Sequence, residues 1–225
     1  KSDKFKTELI ANVSHDIKTP LTALINYVDL LKKQELRDGK AAEYLDVLER
    51  NAQRLKDLTN DLVDFSKFST GSVHLQIEKL NISELIRQGI GEYSEKISTK
   101  GLHLVVSLPD EPVYIEADGR HLWRILENLL SNIRKYALPQ SRVYIDLTAV
   151  QGQAVWIQKN ISDHPLNIST EELMERFVRG DSSRNTEGSG LGLSIAKSLT
   201  ELQGGTFNIE IDGALSKTTI RFPLV

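Results

Sequence analysis

The chain has no cysteine, which excludes disulfides and thiolate metal sites and agrees with a reducing compartment. It has no basic excess either. Lys and Arg number 28 against 31 Asp and Glu, a net charge of -3, so there is no polybasic surface to recruit nucleic acid. No run of 18 apolar residues occurs, so nothing in it reads as a membrane-spanning helix, and no signal peptide is visible. The chain starts at Lys1 without an initiator Met and passes directly into helical pattern. The expectation is an excised cytoplasmic fragment that continues upstream. A length of 225 residues allows one or two domains with a sizeable core.

One of only six prolines falls where a helix is otherwise well signalled. Phe5, Leu9, Val13, Ile17, Leu21, Leu24, Val28 and Leu31 recur every three or four residues. His15 lies off that stripe and faces solvent or a partner. Asp16 is its neighbour, and Thr19 lies one turn on, on the same face. Pro20 removes one N–H and crowds the carbonyl of Asp16, so a bend is expected there. A mid-helix proline costs about 3 kcal/mol relative to alanine. A lone surface histidine usually does nothing. One set beside Asp, Thr and Pro in an amphipathic helix points to a reactive site.

The pattern predicts a first helix from about residue 3 to the mid-thirties, ended by Arg37-Asp38-Gly39-Lys40. A second follows over about residues 41–69, with Leu45, Leu48, Ala52, Leu55, Leu58, Leu62, Phe65 and Phe68 on its apolar stripe. Two long helices on a short loop make an antiparallel hairpin. Such a hairpin buries its stripes poorly alone. Either two copies form a dimeric four-helix bundle, which is the expectation here, or both stripes pack on the rest of the chain. Gly71-Ser72 marks a boundary between domains at 1–70 and 71–225.

Beyond it the rhythm changes. Residues 73–80 alternate and predict a strand. Asn81 caps a helix to about Thr99. Strands are predicted at 102–108 and 113–115, and a helix from Asp118 to Ala137. A hairpin is predicted at 143–150 and 154–161 around Gln151-Gly152, and a short helix at 170–177. A Gly-rich loop reaches Gly190, a helix runs to Leu202, and a second hairpin takes 206–211 and 217–222. Helices interleaved with antiparallel hairpins argue for a mixed-sheet α/β sandwich.

Asn128 and Asn132 share one helix face, with Lys135 and Tyr136 a turn on. Carboxamide oxygens suit Mg²⁺, which leans on substrate phosphates, although two solvated Asn would look the same. In Gly188-Ser189-Gly190-Leu191-Gly192, the glycines let backbone N–H groups approach phosphates. The following helix points its positive end there.

Together these motifs resemble the sensor histidine kinases of two-component signalling. Residues 14–21, Ser-His-Asp-Ile-Lys-Thr-Pro-Leu, are similar to the phosphoacceptor box of that family. Glu127 to Tyr136 resembles its N-box, and Glu175 to Asp181 with Gly188 to Lys197 its phenylalanine and second glycine boxes. The resemblance covers nearly the whole chain. It implies autophosphorylation of His15 by ATP·Mg²⁺, with Asp16 accepting or orienting the proton, and transfer to an Asp of a response regulator receiver domain. It implies Asn132 as the magnesium ligand, assisted by Glu127, with Asn128, Lys135 and Tyr136 at the nucleotide. Residues 178–187 would be a mobile lid, with Arg179 and Arg184 reaching the γ-phosphate. Gly188, Gly190, Leu191 and Gly192 would follow it. Thr19 resembles the residue that orients water in members with phosphatase activity. The implied assembly is a homodimer attached to a membrane only through an upstream segment. One box departs from the family. Where Asp-x-Gly-x-Gly is expected, the chain reads Asn160-Ile161-Ser162-Asp163-His164-Pro165. Asn160 or Asp163 would then meet the adenine, and the alternative reading is a dimeric signalling scaffold or phosphatase-biased member with weakened ATP binding.

Overall fold

A computed structural model describes residues 17, 19–31, 40–69, 74–163 and 191–225. They fall in two compact units, one built on the described residues up to Ser66 with Leu191, the other on the described residues of Lys67–Met174 and on Gly192–Val225.

In the first unit, residues 19–31 form helix α1 and Lys40–Ser69 form α2. Pro20 is buried, at the second described residue of α1. The rings of Tyr27 and Tyr44 meet edge to face with centroids 5.4 Å apart, joining the two helices. Leu58 is buried. Part of the apolar stripe is not: Leu21, Val28 and Leu45 are exposed, as are Ile25 and Val63 beside it, Ile25 to 57% and Leu45 to 56%.

The second unit runs β1 (Glu78–Asn81), α3 (Ile82–Ser98), β2 (His103–Ser107), β3 (Tyr114–Ala117), α4 (Gly119–Tyr136), β4 (Arg142–Val150) and β5 (Gln153–Ile161). It closes with α5 (Gly192–Leu202), β6 (Thr206–Asp212) and β7 (Leu215–Pro223). The main sheet has the order β2-β4-β5-β7-β6. Only β2 and β4 are parallel, so the sheet is mixed, as the interleaved pattern implies. β1 and β3 form a separate antiparallel pair. The β4–β5 turn places Gln151 and Gly152 at φ 51° and 73°, the left-handed pair that a tight hairpin requires.

The strand predicted at 73–80 is shorter than expected, covering only its last three residues and Asn81. Its partner β3 has four residues before Asp118 turns the chain into α4, so the ladder has nothing longer to pair with. Residues 74–77 are held otherwise, the Gln76 N–H donating to Asp118 Oδ2 at 2.8 Å.

The helices cover one face of the sheet. Along β5, Ala154, Trp156, Gln158 and Asn160 are buried while the residues between them are less so. Gln158 Nε2 donates to the Leu129 carbonyl of α4 at 3.2 Å, which fixes the buried face as the helix side. Leu122, Ile125, Leu126, Leu129, Leu130 and Ile133 of α4 complete the interior, with Ile195, Ala196 and Leu199 of α5. Each large side chain so buried contributes about 1.5–3 kcal/mol. The other face is polar. Lys159 pairs with Asp146 at 3.1 Å and lies over the Tyr144 ring, and Lys217 pairs with Glu210 at 3.0 Å.

Candidate nucleotide site

Asp118 starts the site by starting α4. Its Oδ1 accepts from the N–H groups of Arg120 at 3.0 Å and His121 at 3.3 Å, while Oδ2 takes Gln76. Its own N–H donates to Gln203 Oε1 at 2.8 Å, and Gln203 Nε2 donates back to Leu199 of α5. Burial pushes this carboxyl up. The backbone donors Gln76, His121 and Arg120 and the neighbouring His121 side chain outweigh it and hold Asp118 below the usual carboxylate range.

The apolar stripe of α4 leaves Asn128, Asn132, Lys135 and Tyr136 half-buried on its rim. The far end of the helix is fastened from two sides. Lys100 Nζ donates to the carbonyls of Lys135 at 2.9 Å and Ala137 at 3.2 Å, a cation on the negative helix terminus. The end of β5 is tied there by its main chain. Asp163 N–H donates to Tyr136 and Leu138 N–H to Ile161, each at 2.8 Å, with a bridge between Ala137 and Ser162. Asn160 and Asp163 are thus brought beside Lys135 and Tyr136.

At the near end, Gly192 opens α5 against Asn128. A Cβ at Gly192 would stand 3.3 Å from Asn128 Oδ1, tighter than ordinary packing. Asn128 Nδ2 is buried and has no hydrogen-bond partner. An unmet donor beside the positive end of an 11-residue helix fits an anionic oxygen. The residues present therefore suit a phosphorylated ligand lying along α4 from Asn128 toward Tyr136. Among the described residues, no three His, Asp or Glu gather as a metal cage. A cation there would lean on carboxamide oxygens and the ligand's own phosphates.

Glu127 faces elsewhere. It pairs with Arg124 at 3.8 Å and lies near Tyr93 of α3, whose phenol is pushed up by burial first and by the Glu127 charge second. At about 100° per residue, Glu127 and Asn132 are roughly 140° apart around the helix. Leu191 is fully buried. Thr19 is exposed on α1. His15, Asp16, Arg179, Arg184, Gly188 and Gly190, with the predicted helix at 170–177 and the lid, lie outside the described residues. Sequence reasoning missed Gln158, which anchors β5 to α4 from a buried register. Its signal was a polar residue where alternation demands an apolar one.

Residues 5–71 match the family described as the His Kinase A (phospho-acceptor) domain. Residues 117–225 match the histidine kinase-, DNA gyrase B- and HSP90-like ATPases. The chain is similar to sensor histidine kinase YcbM of Bacillus subtilis, 30% identical over 93% of this chain and 68% of that protein. It is 32% identical to hybrid signal transduction histidine kinase D of Dictyostelium discoideum over 99% of this chain, but spans only 15% of that protein. Among solved structures it is similar to histidine kinase ThkA in complex with the response regulator protein TrrA. The TM-score is 0.74 at 21% identity, covering 97% of this chain and 61% of that one. An ATPase-type sandwich with a vacant donor at its glycine-led helix, preceded by a phosphoacceptor hairpin and matched along its length by YcbM, places this chain in the sensor histidine kinase family.

Proposed function

We propose that the chain is an ATP-dependent protein-histidine kinase that phosphorylates its own His15 and passes the phosphoryl group to an Asp of a response regulator. The observation that carries this is the unmatched Asn128 Nδ2 against the start of α5, a place where phosphate oxygens are the complementary ligand. Phosphoryl transfer needs in-line placement and charge neutralisation rather than covalent help. Asn128 and the α5 N-terminus bind the phosphates. Asn132 and Asn128 would hold Mg²⁺, which supplies the remaining neutralisation when bound. Lys135 and Tyr136 line the base end. Arg179 and Arg184 of the lid, with Gly188 and Gly190 after it, would complete the phosphate site. The neutral His15 imidazole is the nucleophile, Asp16 takes or orients its proton, and ADP leaves.

Two copies pair through the exposed stripe of α1 and α2 to form a four-helix bundle. Thr19, exposed on α1 and off that stripe, orients water for dephosphorylation of the regulator. TrrA bound to ThkA in a structure of this fold supports the regulator as partner. An upstream membrane segment would place the chain on the cytoplasmic side. No described helix is long and apolar enough to cross a membrane.

Radiolabelled ATP with phosphosite mapping tests the reading. Label is expected on His15. It should vanish in His15→Gln and fall at least tenfold in Asn132→Ala, the size expected when one preorganised charge contact is removed. Label that survives His15→Gln removes the assigned site.

A further inference from the structure

We infer that this chain binds guanine as well as adenine nucleotides, because its base-reading group is the unattached carboxamide of Asn160; this rests on the kinase reading above. Asn160 is only 7% exposed. It shares the buried face of β5 with Trp156 and Gln158. Gln158 reaches the Leu129 carbonyl, so Asn160, two residues further along, lies under the next turn of α4, where Asn132 and Ile133 stand. The strand end beyond it is fastened to Tyr136. With phosphates at Asn128 and Gly192, the base of a nucleotide laid along α4 arrives at this end.

The side chain of Asn160 makes no hydrogen bond to any described residue, so no neighbour fixes which way its amide faces. The terminal amide torsion is roughly two-fold, and turning it over exchanges donor for acceptor. In one orientation Oδ1 accepts from the adenine 6-amino group and Nδ2 donates to N1. In the other, Nδ2 donates to guanine O6 and Oδ1 accepts from N1–H. A carboxylate at this position would accept only. On this edge it would meet one donor and one acceptor of either base, and so would hold both more weakly. The nearest carboxylate in sequence, Asp163, is exposed, and its N–H is engaged with Tyr136.

Calorimetric titration of the full chain with Mg·ATP and with Mg·GTP tests this without any phosphorylation readout. The two dissociation constants are expected within about tenfold of each other. Asn160→Asp should weaken both nucleotides about tenfold or more without separating them, because each base then sets one acceptor against a carboxylate oxygen. A wild-type preference for ATP above tenfold overturns the inference, and so does an Asn160→Asp chain that keeps both wild-type affinities. If ATP binds and GTP does not, only this inference falls. If neither binds at millimolar concentration, the kinase reading falls with it. Thermal melting of the variant separates misfolding from weakened binding, and the wild-type ratio stands on its own.

Discussion

Asp118 shows how much one buried side chain can hold. Its two oxygens receive three backbone N–H groups from two segments, and its own N–H reaches a third through Gln203. Asp118→Asn keeps an oxygen for the cap but turns an N–H₂ toward one of those donors. The expected cost is about 1–3 kcal/mol, measured by urea unfolding at neutral pH. The direction of its pKa fixes the pH dependence. The folded carboxyl is below its ordinary 3.8, so its contribution is complete above that value and is lost as pH falls through the folded pKa. The variant's stability should therefore fall less steeply on acidification. An identical acid limb would mean that Asp118 is not ionised as described. The capping role was legible, because Asp before an apolar-periodic run is a helix start. The ties to Gln76 and Gln203, 42 and 85 residues away, have no local signature.

At the scale of elements, helices and hairpins were readable because period and turn chemistry agree there. The β4–β5 hairpin follows from two alternating runs about Gln151-Gly152. β1 was overread because alternation describes what a strand's side chains could do and not how long a partner it has. Gly204 and Gly205 join α5 to β6, and the second of them carries a packing constraint that sequence hides. A Cβ at Gly205 would meet Phe222 Cε1 at 2.7 Å and both the Arg221 carbonyl and Thr200 Cγ2 at 2.8 Å. One obstacle is backbone and cannot swing aside. Gly205→Ala should cost about 1–3 kcal/mol and lower Tm by roughly 3–10 °C. Gly91, an exposed helical glycine whose Cβ would meet nothing within 4 Å, is the control, where alanine should stabilise slightly. Equal melting of the two variants would show that the junction is looser than drawn.

At the scale of the molecule, the first unit is incomplete by its own chemistry. Ile25 and Leu45 are each more than half exposed on helices whose period is otherwise regular. Glutamate at both positions should convert a dimer to monomer in sedimentation at micromolar concentration while leaving nucleotide affinity intact. A dimer that persists would move the interface off this stripe. The need for a second copy was legible from the hairpin's length, whereas which residues stay uncovered required the coordinates.

The junction between the end of β5 and the end of α4 has a wider consequence. It is made by main-chain groups of Tyr136, Ala137, Leu138, Ile161, Ser162 and Asp163, so it does not depend on which side chains those positions carry. Ser162 stands where the family pattern expects a glycine, and its main-chain bridge to Ala137 is still made. Such a seam lets ligand preference change by single substitutions on an unaltered frame. The pocket's chemistry is in that sense interchangeable while its walls stay put.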